Sequence, residues 1–140
     1  MRLPCEVMIV VRRGGDVLVV HRSPDAYWHA IAGGVEEGET DAEAARRELE
    51  EETGLVADPG RVLHRFAYPL AEEPHRRSEF PTGTDAIAVS CFLVDAPAGW
   101  EPRLNHEHDD YRWCSPAEAR ALMRWPDAAD AVEKLASQYA

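Results

Sequence analysis

The stretch RRELEEETGL, Arg46 to Leu55, carries four glutamates in little more than one helical turn. Like charges this close repel by a few tenths of a kcal/mol per pair, roughly. The cluster is therefore either a solvated face or the seat of something positive. At about 100° per residue, Glu48, Glu51 and Glu52 fall within one arc of roughly 100°, and Glu50 points away from them. Ala42, Ala45, Leu49 and Thr53 occupy the neighbouring arc and can face a core. Hard oxygen donors converging in this way suit Mg²⁺ or Mn²⁺, which are bound through carboxylates together with substrate phosphates. Arg47, four residues before Glu51, can steer that carboxylate.

Such a helix needs fixed ends and a surface to pack on. Thr40-Asp41-Ala42-Glu43 has the form of a capping box, with threonine at the N-cap and glutamate at N3. Gly54 supplies a left-handed stop after Thr53. Upstream, CEVMIVVRRGGDVLVVHRS reads as two β-branched apolar runs around Gly14-Gly15, the mark of a hairpin. YWHAIAGG reads as a short strand running into a glycine turn. Downstream, RVLHRFAYPL, DAIAVSCFLV and DDYRWCS read as strands, and the polar segment 71–84 as a loop long enough to be functional. Ser115-Pro116-Ala117-Glu118 repeats the capping box with proline at N1 and opens a second helix. A last helix runs over 127–140. Strands mixed with two or three helices, without linker or repeat, predict one α/β domain over residues 1–140.

Charge narrows the partners. The net charge is −11, and residues 36–52 alone hold nine acids against Arg46 and Arg47. A nucleic-acid polymer needs a basic footprint and is not expected as a partner; a phosphorylated small molecule held through a cation is compatible. No apolar run reaches the ~18 residues that cross a bilayer, and Met1–Arg13 has no signal-peptide pattern. The expected location is cytoplasmic, and the expected state a monomer or homodimer. Cys5, Cys91 and Cys114 are widely spaced in apolar context, as buried inert thiols would be.

The spacing around the glutamates adds the decisive pattern. Gly33, Glu39, Arg47-Glu48-Leu49, Glu51-Glu52 and Gly54-Leu55 stand at the intervals of the full Nudix box, a chance match on the order of one in 10⁸ at average residue usage. On these residues the chain resembles the Nudix hydrolases. The resemblance implies a Nudix-type α/β/α sandwich with a mixed sheet and a loop–helix–loop cradle. It implies hydrolysis of a nucleoside diphosphate linked to another group, with Mg²⁺ or Mn²⁺ as cofactor. Glu48 and Glu52 would be direct metal ligands, and Glu51 a ligand or the holder of a metal-bound water. Gly33, Gly34 and Glu39 would shape the loop against the substrate, with Arg47 in support.

Outside the box the resemblance is looser. Ala32-Gly33-Gly34 stands where the family commonly has Pro-Gly-Gly, which is similar to the dihydroneopterin triphosphate pyrophosphatase branch. HEHDDYRWCSPAEARALM is similar to a pattern shared by that branch and the diadenosine tetraphosphate hydrolases, whose glutamate is an extra metal ligand or base; here it falls on Glu107. Its neighbours His106 and His108 form a His-x-His too sparse on its own for zinc. Arg22 can reach a phosphate or form a surface salt bridge, and Trp28 can flank the cradle as a core aromatic or stack on a base. Two other function classes are less well served. A non-catalytic sensor of this fold would be expected to lack one of the three glutamates, and the diphosphate isomerase branch needs a catalytic cysteine that no motif here supplies.

Overall fold

The computed structural model describes residues 2–139. β1 (Cys5–Arg13) and β2 (Asp16–Arg22) form the expected hairpin, with Gly14 at φ 59°. That left-handed value is one glycine adopts without steric cost. β1 then runs parallel to β6 (Ala86–Asp95) from Cys5 to Arg12, and β6 pairs antiparallel with β5 (His64–Pro69). β7 (His108–Cys114) lies antiparallel on the outer edge of β2. The result is one mixed seven-stranded sheet.

β1 and β2 part company directly after the hairpin, where only Arg12↔Val17 and Arg13↔Asp16 pair. The fork between them is filled by one stretch of chain. β3 (Tyr27–His29) pairs with β2 on one side, and β4 (Ile31–Gly34) pairs with β1 on the other. The short strand and glycine turn expected over YWHAIAGG are instead two strands that switch partners at Ala30, with Gly33 and Gly34 paired inside β4.

Alternation along β1 serves two cores. Val7, Ile9 and Val11 face α1 (Asp41–Thr53), packing with Ala44, Ala45 and Leu49. Met8 and Val10 face the other way, toward α2 (Pro116–Leu122) and α3 (Pro126–Gln138), through Ala119, Ala128, Val132 and Leu135. A strand covered on both faces reads as a continuous apolar run, which is why CEVMIVV does not alternate. The layers make the anticipated α/β/α sandwich. Both capping boxes are present: Thr40 Oγ1 accepts from the Glu43 amide at 3.1 Å while Glu43 accepts from the Thr40 amide at 2.8 Å, and Ser115 and Glu118 do the same. Gly54 closes α1 at φ 80°. The end of the last helix expected at Ala140 lies outside the described residues.

The segment 71–84 is more ordered than a polar loop. Two 3₁₀ turns, Leu70–Glu72 and Pro74–Glu79, lie over a small cluster of Leu70, Phe80 and Ile87. Arg76 ties them to β1, donating to Glu6 at 2.8 Å and to the Tyr68 hydroxyl at 2.7 Å, while Tyr68 donates to Glu6 at 2.6 Å. No helix among the described residues is long and apolar enough to cross a membrane.

Candidate active site

Arg47 organises the cradle. Its Nε and Nη2 clasp Glu39 at 2.7 and 2.9 Å, its Nη1 donates to Glu48 at 2.8 Å and to Glu51 at 3.3 Å, and Nη2 also reaches the Gly34 carbonyl at 2.9 Å. One fixed planar cation thereby joins the loop before the helix to Glu48 and Glu51 on it. The same clasp holds the Glu39 carboxyl below its usual range, and Glu39 in turn accepts from the Glu36 amide. The Arg47 guanidinium is thus engaged by the protein itself.

The three box carboxylates do not share one environment. Side-chain exposure is 2% for Glu52, 13% for Glu48 and 55% for Glu51. The wheel placed Glu52 beside the packing face; in the fold it lies within that face, with Ala44, Ala45, Leu49 and Thr53. Burial, then the adjacent Glu48 and Glu107 carboxylates, push the Glu52 carboxyl well above its ordinary range, a backbone hydrogen bond at Ala32 opposing them. Its Oε2 has no partner. Glu51 turns outward onto Arg47 and does not line the cleft. Glu50 is exposed, as the wheel requires.

Gly33 explains itself by contact. A Cβ there would stand 2.1 Å from Glu48 Cδ and 2.3 and 2.5 Å from its oxygens. The carboxylate rests directly on the β4 backbone, and no side chain fits between them.

The remaining groups arrive from the far side of the fork. β7 carries a bulge: His21 faces Asp110 and Arg22 faces His108, with Asp109 unpaired between them. The extra residue reverses the phase of the strand end. Tyr111 and Trp113 pack toward the α1-side core, and the bulge brings His108 to that side as well. The turn before it is pinned by the Ser23 amide and hydroxyl on the Glu107 carbonyl, at 2.9 and 3.1 Å. Glu107 stands at the mouth, 3.7 Å from Arg22 Nη1, while Arg22 also donates to Asp25 at 3.1 Å. His108 is buried; its Nε2 lies 3.7 Å from Glu52 Oε1 and its Nδ1 has no partner. Burial lowers its pKa. His106 is exposed.

Glu48, Glu107 and Arg22 border a cleft of about 470 Å³, with Arg2, Gly33 and Gly34 also in its walls. Ligand atoms of Glu52, Glu107 and His108 lie within 4.8 Å of one another. Buried carboxylate oxygen without a partner is costly unless something positive takes it, so the donor set fits a divalent cation. Arg2, held by Glu79 at 2.9 Å and Glu6 at 3.3 Å, is a cleft residue that no sequence pattern marked. Trp28 is elsewhere. It packs on the α2/α3-side core, between His21 and the Arg112 guanidinium, at 5.0 and 4.9 Å from its ring. Cys91 and Cys114 are buried in that same core, the Cys91 thiol pushed up to about 12, and no cysteine lines the cleft among the described residues.

A family model described as NUDIX domain matches residues 3–135. The chain is similar to an octanoyltransferase of Myxococcus xanthus, 34% identical over 111 residues that make up 76% of this chain and 29% of that protein. It is similar to an RNA pyrophosphohydrolase of Erythrobacter litoralis, 31% identical over 140 residues, 85% of this chain and 79% of the relative. Among solved structures, the E. coli dihydroneopterin triphosphate pyrophosphohydrolase superposes with a TM-score of 0.83 at 24% identity, over 99% of this chain and 98% of that one. That last likeness is one of fold. The chain spans under a third of the first relative's length and most of the other two.

Proposed function

Because the chain belongs to the NUDIX family, we propose that it is a pyrophosphohydrolase that cleaves a diphosphate linkage in a nucleoside or pterin polyphosphate, or a related nucleoside-diphosphate compound, by attack of water on phosphorus. The observation that carries this reading is Glu52, a buried carboxylate with an unpartnered oxygen beside Glu48 and Glu107. An anionic substrate would be repelled by these groups unaided. Glu48, Glu52 and Glu107 would hold Mg²⁺ or Mn²⁺, with Glu51 at the outer rim. Bound there, the cation supplies charge neutralisation on the phosphoryl oxygens and a more acidic water.

The protein's own groups do the rest. Arg22 meets the phosphates from the opposite wall, where a planar guanidinium suits them. The Gly33-Gly34 backbone lets them approach without a side chain in the way. Glu107, half-exposed at the mouth and set against Arg22, is placed to accept the proton of the attacking water. Arg47 keeps Glu48 and Glu51 aimed. Positioning and electrostatics supply most of the catalysis in phosphoryl chemistry.

The protein is read as a cytoplasmic monomer or homodimer acting on a phosphorylated small molecule, with the loops outside the box choosing the leaving group. A panel of nucleoside triphosphates, dinucleoside polyphosphates, nucleotide sugars and dihydroneopterin triphosphate, assayed with Mg²⁺ for pyrophosphate against phosphate release, tests it. Turnover of one class that stops with a chelator is the expected result. Turnover that persists with the chelator on every active substrate would overturn the mechanism.

A further inference from the structure

The imidazole of His108 takes no part in the hydrogen bonds of the site. Its side chain is 5% exposed, and its Nδ1 is buried without a hydrogen bond. The other nitrogen faces Glu52 Oε1 at 3.7 Å, beyond the range of a hydrogen bond. Burying such a group unsatisfied costs stability, so neither nitrogen's position is explained by the protein alone.

The separation comes close to another geometry. Two ligand atoms each about 2.1 Å from one ion stand roughly 3.0–3.6 Å apart at octahedral to trigonal angles. Glu107 brings a third donor within 4.8 Å of both. The bulge at Asp109 is what turns the histidine into this position, and the Ser23 contacts hold the turn that carries Glu107.

Resting on the metal-dependent reading above, we propose that His108 is itself a ligand of the cation. Together with Glu52 and Glu107 it gives the site a nitrogen donor. All-carboxylate sets suit Mg²⁺; an imidazole shifts preference toward first-row transition ions, with Mn²⁺ the mildest case. The site therefore discriminates between two ions that an all-oxygen site would treat more alike.

Mn²⁺ serves as the probe. Electron spin-echo envelope modulation of the Mn²⁺-loaded protein should show the coupling of a directly bound ¹⁴N, converted to that of ¹⁵N when histidine is supplied ¹⁵N-labelled. His108→Gln should abolish the coupling and weaken Mn²⁺ binding by about tenfold or more, as loss of a group ordering a metal site does. Mg²⁺ affinity should change by less than about threefold. His29→Gln, which alters another imidazole with an enclosed, unpartnered nitrogen, should keep the coupling. If His108→Gln does not fold, the labelled wild-type protein and His29→Gln still decide. Mn²⁺ bound without nitrogen coupling, or coupling that survives His108→Gln or vanishes in His29→Gln, overturns the assignment and leaves the hydrolase reading standing. Failure to bind either Mn²⁺ or Mg²⁺ overturns both.

Discussion

Gly33→Ala separates the fold from the site more sharply than any change to the glutamates. The new Cβ would stand 2.1–2.5 Å from the Glu48 carboxyl group, where ordinary contact needs 3.4 Å or more. The group that must give way is the end of a side chain, so the Val7↔Gly33 register of β4 on β1 can persist. The carboxylate, however, has to retreat by about 1 Å, loosening its 2.8 Å bond from Arg47. A hydrogen bond to a charged group contributes roughly 1.5–3 kcal/mol, of which Arg47 retains its clasp on Glu39. Replacing glycine by alanine restores about 0.4–1 kcal/mol through the unfolded chain. A net loss of about 1–2 kcal/mol follows, a fall in Tm of roughly 3–8 °C for a domain of this size. A misplacement of about 1 Å at a reacting centre costs on the order of 10²-fold in rate. Melting curves beside turnover on the best substrate check both numbers. A soluble Gly33→Ala protein within threefold of wild-type activity would show that Glu48 is not held where the reaction needs it.

Glu52→Gln should invert with cation. The folded-state pKa of Glu52 is raised, so its contribution is fully present below the unfolded value near 4.5 and is lost as pH rises. In metal-free buffer at pH 7 the glutamine protein should therefore melt higher than wild type, with the gap closing toward pH 4. In saturating Mg²⁺ wild type should gain about 2.7 kcal/mol at a hundred times Kd, the variant should not, and turnover should fall by at least about 10²-fold. Glu50→Gln should alter neither quantity; equal behaviour of the two variants would return the cluster to a solvated face. His29, whose Nδ1 is enclosed, has its pKa lowered to about 4 by burial. Its contribution is present above about 6.5 and lost as pH falls toward 4, so His29→Gln should flatten the acid limb of the melting profile, and parallel limbs would refute the assignment. Thr40→Ala removes the N-cap bond and should cost about 1 kcal/mol in urea unfolding, with turnover per folded molecule unchanged.

What could be read from the chain was what is local to it. Both capping boxes and the Gly54 stop act within a few residues, and all three stand as the sequence has them. The wheel gave correct bearings for Glu48 and Glu50 but set Glu52 beside the packing face rather than in it. Glu52 is buried in part by the turn at Glu107 and His108, over fifty positions away, and nothing on the helix announces it. The break at Ala30 was hidden for a related reason. A short apolar run ending in two glycines reads as a strand and a turn, and only the fork between β1 and β2 gives those glycines a strand to pair with. Trp28 packs on the α2/α3 side because it pairs with His21, a register that β3 takes only within the same fork.

The unpaired Asp109 has a consequence for how this chain should be compared with others. Side chains in a strand keep a two-beat rhythm, and one surplus residue works like a frameshift in that rhythm. From Asp110 onward the beat is set by pairing with β2; before it, the beat is set by the site. With all its residues kept but paired with β2 in unbroken alternation, the strand would set Asp109 against Arg22 and turn the histidine toward the opposite core. Presence of the glutamate–histidine pair is therefore not enough to infer this arrangement. The strand end must also be shifted in its pairing with β2, so that the histidine and not Asp109 meets Arg22.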